Sequence, residues 1–255
     1  MSSNKTFYTV CFVIFCFLIS YAYFKHNTIV ENLAFKNTDS SIIIYIITLM
    51  DNPDRLKNVH TNLLNKYNEH PTFIFPAIKG KDLSDKDKQH YIAQGYVRPD
   101  YFSKFNVGQQ GCALSHLSLL KNIANDGHPD KHYIIIEDDG YIDDQFDDLI
   151  TKVIRESKNI DWDQIILHND KELGVFPNVF HNKAGYLNKC KQCVGTVGYM
   201  VSKNRAKNIL NQILPLKTTI DTNIELNVQK QFGLDDPVIH LKRDASGNAA
   251  LKSTI

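Results

Sequence analysis

The sequence predicts an α/β domain: a mostly parallel sheet flanked by helices, preceded by an N-terminal transmembrane helix. Three observations carry that prediction. Residues 41–50, SIIIYIITLM, form a continuous apolar run, the pattern of a strand buried on both faces of a parallel sheet. Strand-like segments then alternate with helical ones down the chain, which favours parallel pairing through crossover helices. Finally, residues 6–24, TFYTVCFVIFCFLISYAYF, are 19 positions without a charge, close to the ~20 residues a helix needs to cross a bilayer core.

The elements follow in order. Tyr8, Tyr21 and Tyr23 lie near the ends of the first apolar run, where aromatic rings suit the membrane interface. The run is longer than a secretory h-region and no small-x-small cleavage site follows it, so an uncleaved anchor is expected rather than a signal peptide. The expected organisation is a tail at 1–5, an anchor at 6–24, a polar stem at 25–40 and one catalytic domain at 41–255. The expectation is a single-pass membrane protein with the domain C-terminal to the anchor; type II orientation is expected, although the flanking charges, Lys5 before and Lys25 and His26 after, differ too little to set it.

After the strand at 41–50, Asn52 caps a helix with Pro53 at its first position. Leu56, Val59, Leu63 and Leu64 line one face of it. TFIFPAIKG (72–80) is a second strand, completing a βαβ unit whose crossover is right-handed. A helix is expected over 83–94 and an irregular aromatic loop over 95–106. GQQGCALSHLSLLKNIAND (108–126) reads as a strong helix stopped by Gly127 and Pro129. HYIIIEDD (132–139) is a strand, 144–157 a helix, and WDQIILHND (162–170) holds another strand. GTVGYMVS (195–202) is a strand of small residues, 203–214 a helix, 218–232 holds a shorter helix, and DPVIHLK (236–242) is a late strand.

Lys and Arg number 29 against 28 Asp and Glu, a net charge of +1. That balance gives no reason to expect nucleic acid as a partner. Of the five cysteines, Cys11 and Cys16 lie in the anchor and Cys112 in an apolar helix. Cys190 and Cys193 have the spacing of a zinc-binding pair but lack a second pair, so a local disulfide or two ordinary thiols is expected.

The chemistry concentrates in Glu137-Asp138-Asp139, at the carboxyl end of a buried strand. Ligands of open α/β sheets bind beyond such ends. Alternation along a strand puts Glu137 and Asp139 on one side and turns Asp138 aside. Two hard oxygen ligands on one side suit Mg²⁺ or Mn²⁺, which would also relieve the repulsion between crowded carboxylates. The plain alternative is a solvated strand end whose acids cap the next helix.

The segments IYIITLMDNPDR, FPAIKGKDLS, GQQGCALSHLSLL, YIIIEDDGYID, WDQIIL and GTVGYMVSKNRAKNIL occur in that order. Together they resemble glycosyltransferase family 25, which includes bacterial lipooligosaccharide galactosyltransferases and procollagen galactosyltransferases. The resemblance spans essentially all of residues 42–255. It implies a Rossmann-like GT-A fold and inverting transfer of a hexose, usually galactose, from a UDP-sugar to a glycan, protein or lipid-linked acceptor. It also implies a Mn²⁺ or Mg²⁺ cofactor held by Glu137 and Asp139, with Asp138 on the ribose or sugar hydroxyls. In the first loop only Arg55 matches the family's arginines.

An inverting transfer needs a general base for the acceptor hydroxyl. Asp221 is the first choice and Asp170 the second; each is otherwise a surface acid or a helix cap. Gly108 and Gly111 open the strong helix and either meet an anion or permit a tight turn and close packing. Ser115 and His116, one turn further in, contact substrate or pack on the sheet. Gly195 and Thr196 begin a strand where a sugar approaches the backbone, unless their small size serves packing alone. His240 is either a further metal ligand or an ordinary strand histidine. Two rival functions stand beside transfer: an inactive, membrane-anchored sugar-binding protein, and another metal-dependent α/β enzyme.

Overall fold

The computed structural model describes residues 40–64, 69–125, 128–168, 179–180, 186–190, 193, 195–234 and 237–241. Of the two compact units, Met1–Asn32 lies outside the described residues and Leu33–Ile255 holds the domain. The proposed anchor at 6–24 and the carboxylate of Asp170 are therefore outside the description. Among the described residues no helix is long and apolar enough to cross a membrane.

The Ile-rich run forms β1 (Ile42–Thr48). It pairs in parallel with β2 (Thr72–Pro76) on one side and β3 (His132–Glu137) on the other. Ile42, Ile44 and Ile46 face one apolar cluster and Ile47 faces the second, with Ile43 and Tyr45 packed against it. β3 divides the same way, Ile134 and Ile136 against Tyr133 and Ile135. Both faces are dry, so period-two alternation disappears into a continuous apolar run.

The helices cover those faces. α1 (Pro53–Asn58) starts as the sequence predicts: the Asn52 side chain accepts from the Arg55 amide at 3.2 Å, with Pro53 in the first turn. It continues as a π-helix, Val59–Leu64. The face that carries Val59 and Leu63 also takes Phe146, Ile150 and Val153 of the helix Phe146–Ser157. α2 (Asp85–Ala93) opens on a capping box between Ser84 and Asp87. A short helix, α3 (Tyr101–Lys104), lies inside the segment expected to be a loop. α4 (Val107–Asn125), α5 (Phe146–Ser157), α6 (Lys203–Ile213) and α7 (Ile220–Asn227) complete the set. α4 and α6 pack Leu114, Leu117, Ile209 and Ile213 on the face opposite α5.

The remaining strands are β4 (Gly140–Ile142), β5 (Gln164–Ile166), β6 (Val179–Phe180), β7 (Leu187–Cys190), β8 (Gly198–Ser202), β9 (Gln231–Leu234) and β10 (Ile239–Leu241). The main sheet has the order β2-β1-β3-β8-β5-β9-β7-β6. β8 is antiparallel to both neighbours and β7 to both of its own, so the sheet is mixed although most strands share one direction. β8 is the inverted strand inside the mostly parallel sheet that the sequence predicts, and the inversion sets where its first residues lie. Entering from the far edge, β8 begins where β3 ends, and the Glu137 amide donates to the Val197 carbonyl at 2.9 Å. The small residues before β8 are thus delivered to the carboxyl edge.

Two other expectations change. The stretch 218–232 is not all helix: α7 stops at Asn227 and Gln231 opens β9, beside β5. The late strand β10 leaves the main sheet and pairs antiparallel with β4. Cys190 and Cys193 form a disulfide, the local bond named as one of two sequence expectations.

Candidate active site

β3 ends at Glu137, so strand alternation stops there; Asp138 and Asp139 occupy a turn before β4. The turn is tied down from below. The Arg55 guanidinium pairs with Asp138 Oδ1, both side chains being buried. Asn58 donates to the Asp138 carbonyl at 2.7 Å. Burial pushes the Asp138 carboxyl up, against the opposing pull of Arg55. Arg55 and Asp138, both expected to meet substrate, instead anchor the acidic turn to α1, because a buried guanidinium and a buried carboxylate must satisfy each other.

Glu137 lies on the other side. Its Oε1 accepts from the Thr196 hydroxyl at 2.5 Å and lies 3.3 Å from His116 Nε2. His116 Nδ1 is 3.0 Å from the Tyr199 hydroxyl. A carboxylate only accepts, so Nε2–H points at Glu137, and Nδ1 shares a hydrogen bond with the Tyr199 hydroxyl. Burial alone would raise the Glu137 carboxyl, but the hydrogen bonds and charge of His116, with Thr196, outweigh it and hold the group below its ordinary value. Asp139 is the reverse case. Burial first and the Glu137 carboxylate second push it to about 7, against Arg55. Its Oδ1 is buried without a hydrogen-bond partner among the described residues.

A cavity of about 720 Å³ opens over Glu137. The start of α4 supplies Val107, Gly108, Gln109 and Cys112; the approach to β8 supplies Gly195, Thr196 and Val197; the start of α7 supplies Thr219, Ile220 and Asp221. Two helix N-termini therefore converge on one hollow, and their dipoles favour negative charge there. Asp221 sits in the first turn of α7, whose N-cap Thr219 makes no side-chain capping bond. Gly195 has φ +99°, and a Cβ there would stand 2.6 Å from His168 Nε2. Only glycine fits both the backbone and the space.

The sequence-predicted residues thus separate. Glu137, Gly108, Gly195, Thr196 and Asp221 meet at the cavity. His116 touches Glu137 from behind. Gly111 faces the chain at 78–80: a Cβ would meet the Ile78 carbonyl at 2.5 Å and the Gly80 amide at 2.9 Å. Ser115 is buried, accepting from the Ile78 amide at 2.8 Å and donating to the Gly111 carbonyl at 2.6 Å. Both are used in seating α4 on that segment. His240 stacks on Tyr141 at 5.0 Å in the β4–β10 ribbon.

Three contributors escaped the sequence reading. Cys112 lies one turn before His116, and that i, i+4 spacing was the available signal. Burial and the carboxylates of Glu137, Asp221 and Asp139 push its thiol well up. His168 ends the segment after β5, at the same sheet edge as Glu137, and Tyr199 follows Gly198 on β8. Neither had a local signature. A second hollow, about 370 Å³, lies between Leu49–Pro53 and Lys79–Lys81 and contains an ion pair of Lys79 with Asp51.

Two known proteins similar to this chain share one family name. A 25%-identical match over 179 residues to procollagen galactosyltransferase 1 of Danio rerio covers 68% of this chain and 29% of that protein. A glycosyltransferase 25 family member of Anopheles gambiae is 27% identical over 174 residues, covering 66% of this chain and 28% of its own. A Drosophila melanogaster family member is 25% identical over 194 residues, 74% and 30%. The matches span under a third of these relatives' length. The profile of glycosyltransferase family 25 (LPS biosynthesis protein) matches residues 41–224, which takes in β1, the acidic turn, β8 and Asp221. The chain belongs to glycosyltransferase family 25.

Proposed function

We propose that this chain is a UDP-sugar-dependent hexosyltransferase that moves galactose, with inversion, to a hydroxyl of a glycan, protein or lipid-linked acceptor. One observation carries the reading: Glu137 and Asp221, from different elements, line a single cavity at the carboxyl edge of the sheet. Family membership and the procollagen galactosyltransferase relative support the sugar and its transfer. The βαβ opening of the sheet supports a Rossmann-like GT-A arrangement.

The residues present fit a Mn²⁺ or Mg²⁺ cofactor. Asp139 has a buried oxygen without a partner among the described residues, and Glu137 keeps Oε2 clear of the Thr196 and His116 bonds to Oε1. Both are hard donors. Held by Glu137 and Asp139, the ion supplies charge neutralisation for a departing diphosphate. His116 and Thr196 keep Glu137 ionised and fixed. Asp221 takes the acceptor's proton as that oxygen attacks the anomeric carbon; the bond to UDP breaks and UDP leaves with the electron pair. Asp170, outside the described residues, is the alternative base. Gly108 and Gly195 leave backbone exposed to the sugar nucleotide.

Residues 6–24 anchor the protein as a single-pass membrane span, with the domain following it in type II orientation. The uncharged run supports this placement.

The test is UDP release from UDP-galactose by the full-length protein in detergent, with Mn²⁺ and with excess EDTA. Release with Mn²⁺ and none with EDTA is expected. Release indifferent to EDTA removes the cation from the mechanism. Binding without release across a panel of UDP-sugars leaves a sugar-nucleotide-binding protein instead.

A further inference from the structure

We propose that Cys112, His116 and Glu137 form a binding site for a thiophilic divalent cation, of which Zn²⁺ is the best match. Ligand atoms of these three side chains lie within 4.8 Å of one another, and His116 Nε2 and Glu137 Oε1 are 3.3 Å apart, so a small inward movement of the side chains brings all three to the ~2.0–2.3 Å bonds of one Zn²⁺. Cys112 and His116 are i, i+4 on α4, so they project from one helix face. Glu137 reaches the same point from the end of β3. A sulfur, an imidazole and a carboxylate make a set that hard Mg²⁺ does not favour and Zn²⁺ does.

The surroundings match a metal centre in two further respects. Cys112 and Glu137 both line the large cavity, so a fourth position opens to solvent or ligand. Three protein ligands with one open position is the arrangement of reactive zinc rather than of closed structural zinc. His116 also has an outer partner: Tyr199 stands 3.0 Å from Nδ1. When Nε2 coordinates, the neutral imidazole keeps its single proton on Nδ1, which donates to the Tyr199 oxygen, as ligating histidines usually do with their second nitrogen. Binding releases the thiol proton to solvent.

This site stands independently of the transferase reading, although Glu137 belongs to both.

Co²⁺ is the probe, because a cysteine-bound Co²⁺ gives a sulfur-to-metal charge-transfer band. The full-length chain in detergent, with Cys11→Ser and Cys16→Ser to remove the other thiols, is titrated with Co²⁺ and then with Zn²⁺. The expected result is one equivalent of Co²⁺, a charge-transfer band that Zn²⁺ abolishes, and no band after Cys112→Ser. Glu137→Gln is expected to weaken Co²⁺ binding at least ~10-fold, since even outer partners of a metal site cost that much. No band in the parent protein, a band that survives Cys112→Ser, or unchanged affinity in Glu137→Gln overturns the proposal. The readout is optical, so it is unaffected if sugar transfer is never found.

Discussion

At Asp139 a buried carboxyl and a neighbouring carboxylate set a measurable pH dependence. Its pKa is raised from the ordinary value to about 7, so the folded chain holds this proton more tightly than the unfolded chain. The stability it contributes is fully present below about pH 4, the usual carboxylate range, and is lost as pH rises through about 7. A divalent cation can replace that proton. Mn²⁺ is therefore expected to raise Tm at pH 8 and hardly at all at pH 5, and Asp139→Asn should abolish the difference. An equal Tm response at both pH values would contradict this. Arg55 makes a second residue-scale prediction. Its guanidinium is 2% exposed and meets Asp138, so Arg55→Leu should lose roughly 3–5 kcal/mol in denaturant unfolding, the cost of stranding a buried charge. Unchanged stability with only a raised KM would return Arg55 to substrate binding. Sequence alone showed that the acids were special. It did not show that Asp138 and Asp139 are buried and Glu137 is not fully so, because the strand ends at Glu137 and the turn that follows breaks alternation.

At the scale of elements, the site depends on the inverted strand β8 and the loop before it. Gly195 combines φ +99° with a Cβ position 2.6 Å from His168. Gly195→Ala should cost about 1–3 kcal/mol, the usual range for forced backbone strain. It should also lower turnover, because Thr196 loses its bond to Glu137. Thermal unfolding and kcat measured on the same sample check both. Wild-type values for each would mean that the loop tolerates a side chain. The long apolar strands and the capped helices α1 and α2 were legible because caps and periodicity are local. The direction of β8, the β4–β10 ribbon and the strand at Gln231 were not, because pairing partners are set by distant chain. At Gly111 the sequence left two readings, an anion at the helix start or close packing; a Cβ there would strike the Ile78 carbonyl, so close packing is the one the structure bears out.

At the scale of the whole molecule, a charge-free run precedes a domain whose catalytic edge is assembled from β3, β8, α4 and α7. Full-length protein should stay with membranes through a carbonate wash, and deletion of residues 1–30 should release the domain; full-length protein in the soluble fraction would contradict the anchor. The family was legible from ordered motifs, and Glu137, Thr196 and Asp221 were each singled out with it; that they line one cavity was not legible, because it depends on the inverted β8. The acceptor was not legible, since no residue pattern in the chain encodes it. The central claim is that Asp221, from its own helix, takes the proton of the acceptor hydroxyl that attacks the sugar nucleotide held beside Glu137. The measurement that tests it most directly is kcat together with UDP-sugar affinity for Asp221→Asn. The N-cap of α7 is Thr219, so Asp221→Asn removes only a first-turn charge, worth about 0.3–1 kcal/mol; fold and affinity should change little while kcat falls by roughly 10²-fold or more. A folded variant that binds donor and turns over within a few-fold of wild type would contradict the account.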